Sequence, residues 1–231
     1  MRSKSLKKVL AASLALSLVM APVMGANAAP SVSGNEGGKV VTTTNGNTPS
    51  GDSGTNVSTE EAVVIPETSS VRVGGKLLTT TIRGAYMSKT IPGTIVLTDK
   101  TTLAAAYGLA AGEQPYVRIY DITEKKSPAA MASINAAAGA VGGTVVATVN
   151  MELGKLAGGK FSLLAQGGAP ITMVFGIPQT AVRAGYAYAM ICVRPGGVVE
   201  VLPDLDLDPN TVTFNTTGGL GAYAMIMYPA A

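Results

Sequence analysis

The sequence predicts a mainly β protein with one or two short helices, in outline an antiparallel β-sandwich-like domain. Three observations predict it. Residues 171–228 read as four or five strands in succession, broken only by short turns of Gly, Pro and Asp. Within them, residues 184–193 carry no charge on either face, because Tyr186, Tyr188, Met190 and Cys192 alternate with Gly185, Ala187, Ala189, Ile191 and Val193. A strand apolar on both sides is buried on both sides, which makes this one a central strand of a layered structure. Finally, residues 211–216 alternate polar and apolar, directing Val212 and Phe214 inward.

The chain opens with Arg2, Lys4, Lys7 and Lys8 ahead of an apolar run over 9–20, and Ala26-Asn27-Ala28 supplies small residues for cleavage. That is the pattern of a secretory signal peptide over 1–28, so the expected location is secreted or extracellular, with attachment at the cell surface open. The run is shorter than the ~20 residues that span a bilayer, and no transmembrane segment is expected after its removal. Cleavage takes four of the 17 basic residues and none of the 14 acidic ones, leaving 13 against 14. With Lys125-Lys126 as the longest remaining basic cluster, the chain offers no clustered positive face, and nucleic acid is excluded as a partner.

Residues 29–61 are Ser, Thr, Gly and Asn with few large apolar side chains, a composition expected to stay disordered because it buries too little surface to offset ordering. The remaining 62–231, about 170 residues, suit one β-rich globular domain. Val, Ile and Thr enrichment predicts strands over 62–65, 71–83 and 94–97, punctuated by Gly74-Gly75, Gly84 and Pro92-Gly93. Asp99 is placed to cap a short helix over 101–107 that Gly108 ends. A strand follows over 116–122. Ser127-Pro128 opens a second helix, with the hydroxyl expected to cap, running to about Val141 and stopped by Gly142-Gly143, with Met131, Ile134 and Ala138 inward. Two strands, 144–153 and 160–164, joined through 154–159, then lead into the β-rich stretch. There, Pro195-Gly196-Gly197 turns the chain into a short partner strand over 198–202, and Gly218, Gly219 and Gly221 permit a tight or bulged link to a last apolar strand over 222–228.

The strings Val149-Asn150-Met151-Glu152-Leu153-Gly154-Lys155, Gly158-Gly159-Lys160 and Ile171-Thr172-Met173-Val174-Phe175-Gly176-Ile177-Pro178, with the pairs over 198–202, 211–216 and 222–228, carry a resemblance. Over roughly 144 to 228 the chain resembles β-sandwich modules found near the C-termini of secreted and surface proteins of Gram-positive bacteria. It departs from their usual Phe-Ser-Thr-Tyr ending, having Gly219-Leu220-Gly221-Ala222-Tyr223. The resemblance implies a sandwich-like half over 143–231 and a non-catalytic extracellular module, and it implies no ligand.

Absences narrow the chemistry. The chain has no His, which removes Ser-His-Asp and Cys-His nucleophile systems and His-ligated zinc, and it has no Trp. Cys192 is alone, so no intrachain disulfide forms, and its apolar strand predicts an inert thiol, with Arg194 two residues on as the only nearby charge able to activate it. Asp204, Asp206 and Asp208 alternate, which in extended chain puts three carboxylates on one side, the start of a calcium site. The EF-hand pattern is not met, since Pro209 and Asn215 stand where it needs Gly and Glu, and a solvated acidic turn is the competing reading. No other cofactor is expected.

Three function classes remain: a secreted, non-enzymatic structural or interaction module taking a protein or cell-wall component; a binding module for glycan or another small ligand, built on some of Tyr86, Tyr107, Tyr116 and Tyr120; and a hydrolase using carboxylates alone, which the scattered Glu124, Glu152 and Glu200 and the lack of aromatic subsites disfavour, so no catalytic residue is expected. The first is the expectation.

Overall fold

The computed structural model describes residues 64–230; the expected leader over 1–28 and tail over 29–61 lie outside the described residues. Twelve strands and two helices follow in order: β1 (Ser70–Val73), β2 (Lys76–Thr79), β3 (Gly84–Tyr86), β4 (Thr94–Val96), α1 (Lys100–Ala106), β5 (Gln114–Asp121), α2 (Pro128–Ala140), β6 (Thr144–Ala157), β7 (Lys160–Leu163), β8 (Ile171–Gly176), β9 (Tyr186–Val193), β10 (Val199–Pro203), β11 (Thr211–Thr216) and β12 (Gly219–Pro229). The fold is mainly β with two short helices, as the sequence predicts.

Two sheets face each other. The larger runs β10-β9-β12-β6-β5-β3, with β7 also paired to β6, and the smaller runs β11-β8-β4. All pairings are antiparallel except β3 with β5. Between the sheets, Val117, Ile119, Val149, Met151, Met190, Cys192, Tyr223 and Met225 meet Ile171, Met173, Phe175, Val212 and Phe214. Phe175 and Phe214 pack edge to face at 5.0 Å, and Phe214 leans on Tyr223 at 6.2 Å.

The outer face of the large sheet is covered in part by α2, whose Ile134 and Ala138 pack on Ala189, Ile191, Val193, Ala222, Ala224 and Ile226. The alanines on β9 and β12 let the helix lie close. A β1–β2 hairpin covers the outer face of the small sheet through Val71, Ile95 and Val174. The doubly apolar β9 is therefore central in the way its pattern demands, with one face between the sheets and the other under α2.

Several details differ from the sequence reading. No strand forms at Val64 and Ile65, which are exposed, and residues 62–63 lie outside the described residues. The 71–83 stretch is a hairpin turned at Gly74-Gly75, both at positive φ, and 80–83 is not strand. The capping of α1 by Asp99 is as expected, with the carboxylate accepting from Thr101 N and Thr102 N at 3.0 Å. Ser127 stands at the N-cap of α2, yet its hydroxyl makes no cap bond, because the backbone there departs from capping geometry. β6 does not stop at Leu153 but runs through Gly154 to Ala157, since β7 takes up the ladder where β12 leaves it. The sandwich is not confined to 143–231: β3 and β5 extend the large sheet and β4 the small one.

Candidate functional site

Helix α2 covers only part of the large sheet, and the surface formed by β5, the C-terminal half of β6 and β7 is left open. On β5 the alternation sends Val117 and Ile119 inward and Tyr116, Arg118 and Tyr120 outward. The β5–β6 register sets Tyr120 opposite Asn150, Arg118 opposite Glu152 and Tyr116 opposite Gly154. Gly154 leaves room for a ring. Phe161, from β7, fills it, meeting Tyr116 edge to face at 6.0 Å and carrying the Arg118 guanidinium 4.0 Å above its own ring.

The polar groups are tied to one another. Asn150 Nδ2 donates to the Tyr120 hydroxyl at 2.7 Å, that hydroxyl donates to Glu152 Oε1 at 3.4 Å, and Arg118 stands 3.6 Å from Glu152 Oε2. Burial and the Glu152 charge both push the Tyr120 phenol up, so it stays a neutral donor at physiological pH. Tyr120 is 36% exposed. The result is a surface of rings and one guanidinium, fixed by mutual contacts and carrying one positive and one negative charge that neutralise each other.

Of the four tyrosines named from the sequence, the structure brings two to this surface. Tyr86 is buried, its hydroxyl donating to the Ile82 carbonyl at 2.9 Å. Tyr107 ties α1 to the loops beyond, donating to the Ala169 carbonyl at 2.6 Å and accepting from Gly218 N at 2.8 Å. Tyr186, grouped with Tyr188 as core by its alternation, is exposed instead, because it pairs with Pro229 at the end of the sheet; Tyr188 is buried.

The three alternating aspartates lie in the link from β10 to β11, each holding backbone. Asp204 Oδ1 accepts from Asp206 N and, at 2.9 Å, from Thr213 N. Asp206 accepts from Asp208 N at 2.8 Å and from the Thr213 hydroxyl. Asp208 accepts from Asn210 N at 2.9 Å and from Gly74 N, which anchors the link to the β1–β2 turn. Burial raises the Asp204 carboxyl, whereas the bonds from Gly74 and Asn210 hold Asp208 below the ordinary aspartate range. Among the described residues no three His, Cys, Asp or Glu side chains converge on a point that would hold a metal ion.

Cys192 is fully buried, and loss of solvent pushes its thiol up to about 11, as expected of an inert group. Arg194 is only 2% exposed. Its guanidinium holds the turn before β12, donating to Thr216 Oγ1 at 2.8 Å, Thr217 Oγ1 at 3.2 Å and the Gly218 carbonyl at 3.3 Å, with Glu200 3.6 Å from Nε. Glu200 lies on β10, three strands from Glu152 on β6, a separation of about 14 Å at the spacing of paired strands. That exceeds the ~5–10 Å of a glycosidase carboxylate pair, and Glu124 sits exposed in the loop before α2.

Arg118, Asn150 and Phe161 are the surface residues the sequence reading missed. Period-two alternation in Tyr116-Val117-Arg118-Ile119-Tyr120 would have put Arg118 beside the tyrosines, but nothing local pairs Tyr120 with Asn150 or lays Phe161 over Gly154. Among the described residues, no helix is long and apolar enough to cross a membrane. No protein-family model, curated protein or solved structure matches the chain.

Proposed function

We propose that the protein is a non-enzymatic interaction module acting outside a bacterial cell, and that it binds a neutral glycan on the open face of its large sheet. The observation that carries this is the fixed array of Tyr116, Arg118, Tyr120, Asn150, Glu152 and Phe161 on one strand surface, half-buried except for the exposed Tyr120. Planar side chains stack on the apolar face of a sugar ring. Guanidinium, amide and carboxylate exchange hydrogen bonds with its hydroxyls. Because Arg118 and Glu152 cancel, a charged partner gains no net attraction there, and a neutral polyol is the chemistry that fits. The secretory pattern over 1–28 and the resemblance to surface modules of Gram-positive bacteria support an extracellular setting, and the absence of His from the chain supports a role in binding.

The test is calorimetric titration of the purified protein with neutral oligosaccharides, including oligomers of N-acetylglucosamine, beside pull-down on purified cell wall. Tyr120→Ala is expected to weaken binding about tenfold, the value of one stacking contact of ~1.4 kcal/mol. Binding that survives both Tyr120→Ala and Arg118→Ala unchanged, or no binding to any neutral glycan, overturns the reading.

A further inference from the structure

Strand β10 is the outermost strand of the large sheet at the end away from the open face, and among the described residues no strand pairs with its free edge. Arg194 N donates to the Val198 carbonyl at 2.8 Å, and the register continues Val199 with Val193, Glu200 with Cys192, Val201 with Ile191 and Leu202 with Met190. In an antiparallel ladder hydrogen-bonded pairs alternate with non-bonded ones, so Val198, Glu200 and Leu202 bond inward. The backbone groups of Val199, Val201 and Pro203 face outward. The valine side chains lie on the α2 side, as their partners Val193 and Ile191 do, and remain 41% and 49% exposed. Exposed valines beside unpaired N–H and C=O groups make a template for another strand.

We propose that the occupant is a second copy of this chain, pairing β10 with β10 antiparallel about a two-fold axis through Val201. The sequence of the strand selects this register over its neighbours. Centring the axis on Glu200 would set Glu200 against the partner's Glu200, two like charges directly opposed. Centring it on Leu202 leaves the Val199 N–H groups without a partner and relies on Pro203, which has no N–H to give. With the axis at Val201, each Val201 N–H meets the partner's Val201 carbonyl and each Val199 N–H meets the partner's Pro203 carbonyl. Every outward donor of the strand is then used, and Glu200 lies opposite the partner's Leu202. Pro203 falls where only an acceptor is called for.

The contact is isologous and closes as a dimer. A single strand pair with two flanking valines covers less than the ~800 Å² per partner of a standard interface, so association is concentration-dependent, with a dissociation constant in roughly the micromolar range. If the glycan reading above holds, the dimer carries one open face at each end of a continuous sheet, and two weak sites act together on a polymeric ligand. The pairing itself does not depend on that reading.

Sedimentation equilibrium of the purified protein over a wide concentration range tests it, together with cysteine variants under mild oxidation. The expected result is a mass rising from one protomer to two, a covalent dimer from Val201→Cys and none from Glu200→Cys; Cys192 is buried and stays out of the reaction. Val201→Pro removes an outward N–H that β9 does not use, and is expected to weaken the dimer at least tenfold while leaving the far-ultraviolet dichroism unchanged. A protomer mass at every concentration, cross-linking through Glu200→Cys in place of Val201→Cys, or a dimer indifferent to both Val201→Pro and Val201→Lys overturns the proposal.

Discussion

Replacing Gly154 with Ala tests how the open face is built. A methyl group there would overlap Cε2 and Cζ of Phe161 and the carbonyl oxygen of Ser162, all well inside the roughly 3.5 Å of ordinary contact. The ring can swing away, losing its edge contact with Tyr116, worth about 0.5–1.5 kcal/mol, and the guanidinium stacked on it, worth about 0.5–1 kcal/mol at an exposed site. The Ser162 carbonyl belongs to the β7 backbone and moves only with the strand, which adds an overpacking cost of about 1–2 kcal/mol. Gly154→Ala should therefore destabilise by about 2–4 kcal/mol, lowering Tm by about 5–12 °C in a chain of this size. Urea unfolding followed by circular dichroism measures it. Combining Gly154→Ala with Phe161→Ala removes the ring the methyl collides with, so the double variant should be more stable than the sum of the singles by about 1 kcal/mol. Additive costs, or a Gly154→Ala protein as stable as the parent, would refute the account of Phe161 seated on Gly154.

Two further perturbations address the interior and the acid response. Arg194→Ala empties a buried site and orphans the acceptors around Gly218, for about 3–5 kcal/mol, whereas Arg194→Met keeps most of the stem volume and should cost about 1–3 kcal/mol, both read from denaturant midpoints. Equal costs would mean that the guanidinium contacts, not the volume, set the loss. Asp121 draws the 88–90 loop onto β5: burial raises its carboxyl, but bonds from the Ser88 and Thr90 hydroxyls and from Lys89 N and Thr90 N outweigh that and hold it below the ordinary 3.8. A depressed folded value stabilises above the unfolded value and is lost as pH falls through the folded one. Asp121→Asn should thus be less stable than the parent at pH 7, with the gap closing as pH falls below the ordinary 3.8; a gap independent of pH in thermal melts would show that charge is not involved.

Most of the strands, the double burial of β9, the extents of α1 and α2 and the chemistries the composition lacks are legible along the chain alone, whereas the strand expected at 64–65, the end of β6 and the exposure of Tyr186 are not. The legible features are local properties. Alternation, Gly and Pro punctuation and a capping aspartate act within a few residues. Sheet order and face assignment were decided only in the folded molecule. The three aspartates alternate as metal ligands would, yet Thr213 and Gly74, distant along the chain or across a turn, supply N–H groups that engage the carboxylates. Tyr86 and Tyr116 look alike in sequence, and one is core while the other is surface because β3 faces the small sheet and the outward side of β5 is left uncovered by α2. The open face depends on residues from three strands, 116–120, 150–154 and 161, and what joins them is the register of β5 and β7 against β6. Register is a collective outcome of core packing. A shift of one residue would turn Tyr120 and Arg118 inward and Val117 and Ile119 outward, and the apolar core between the two sheets forbids it.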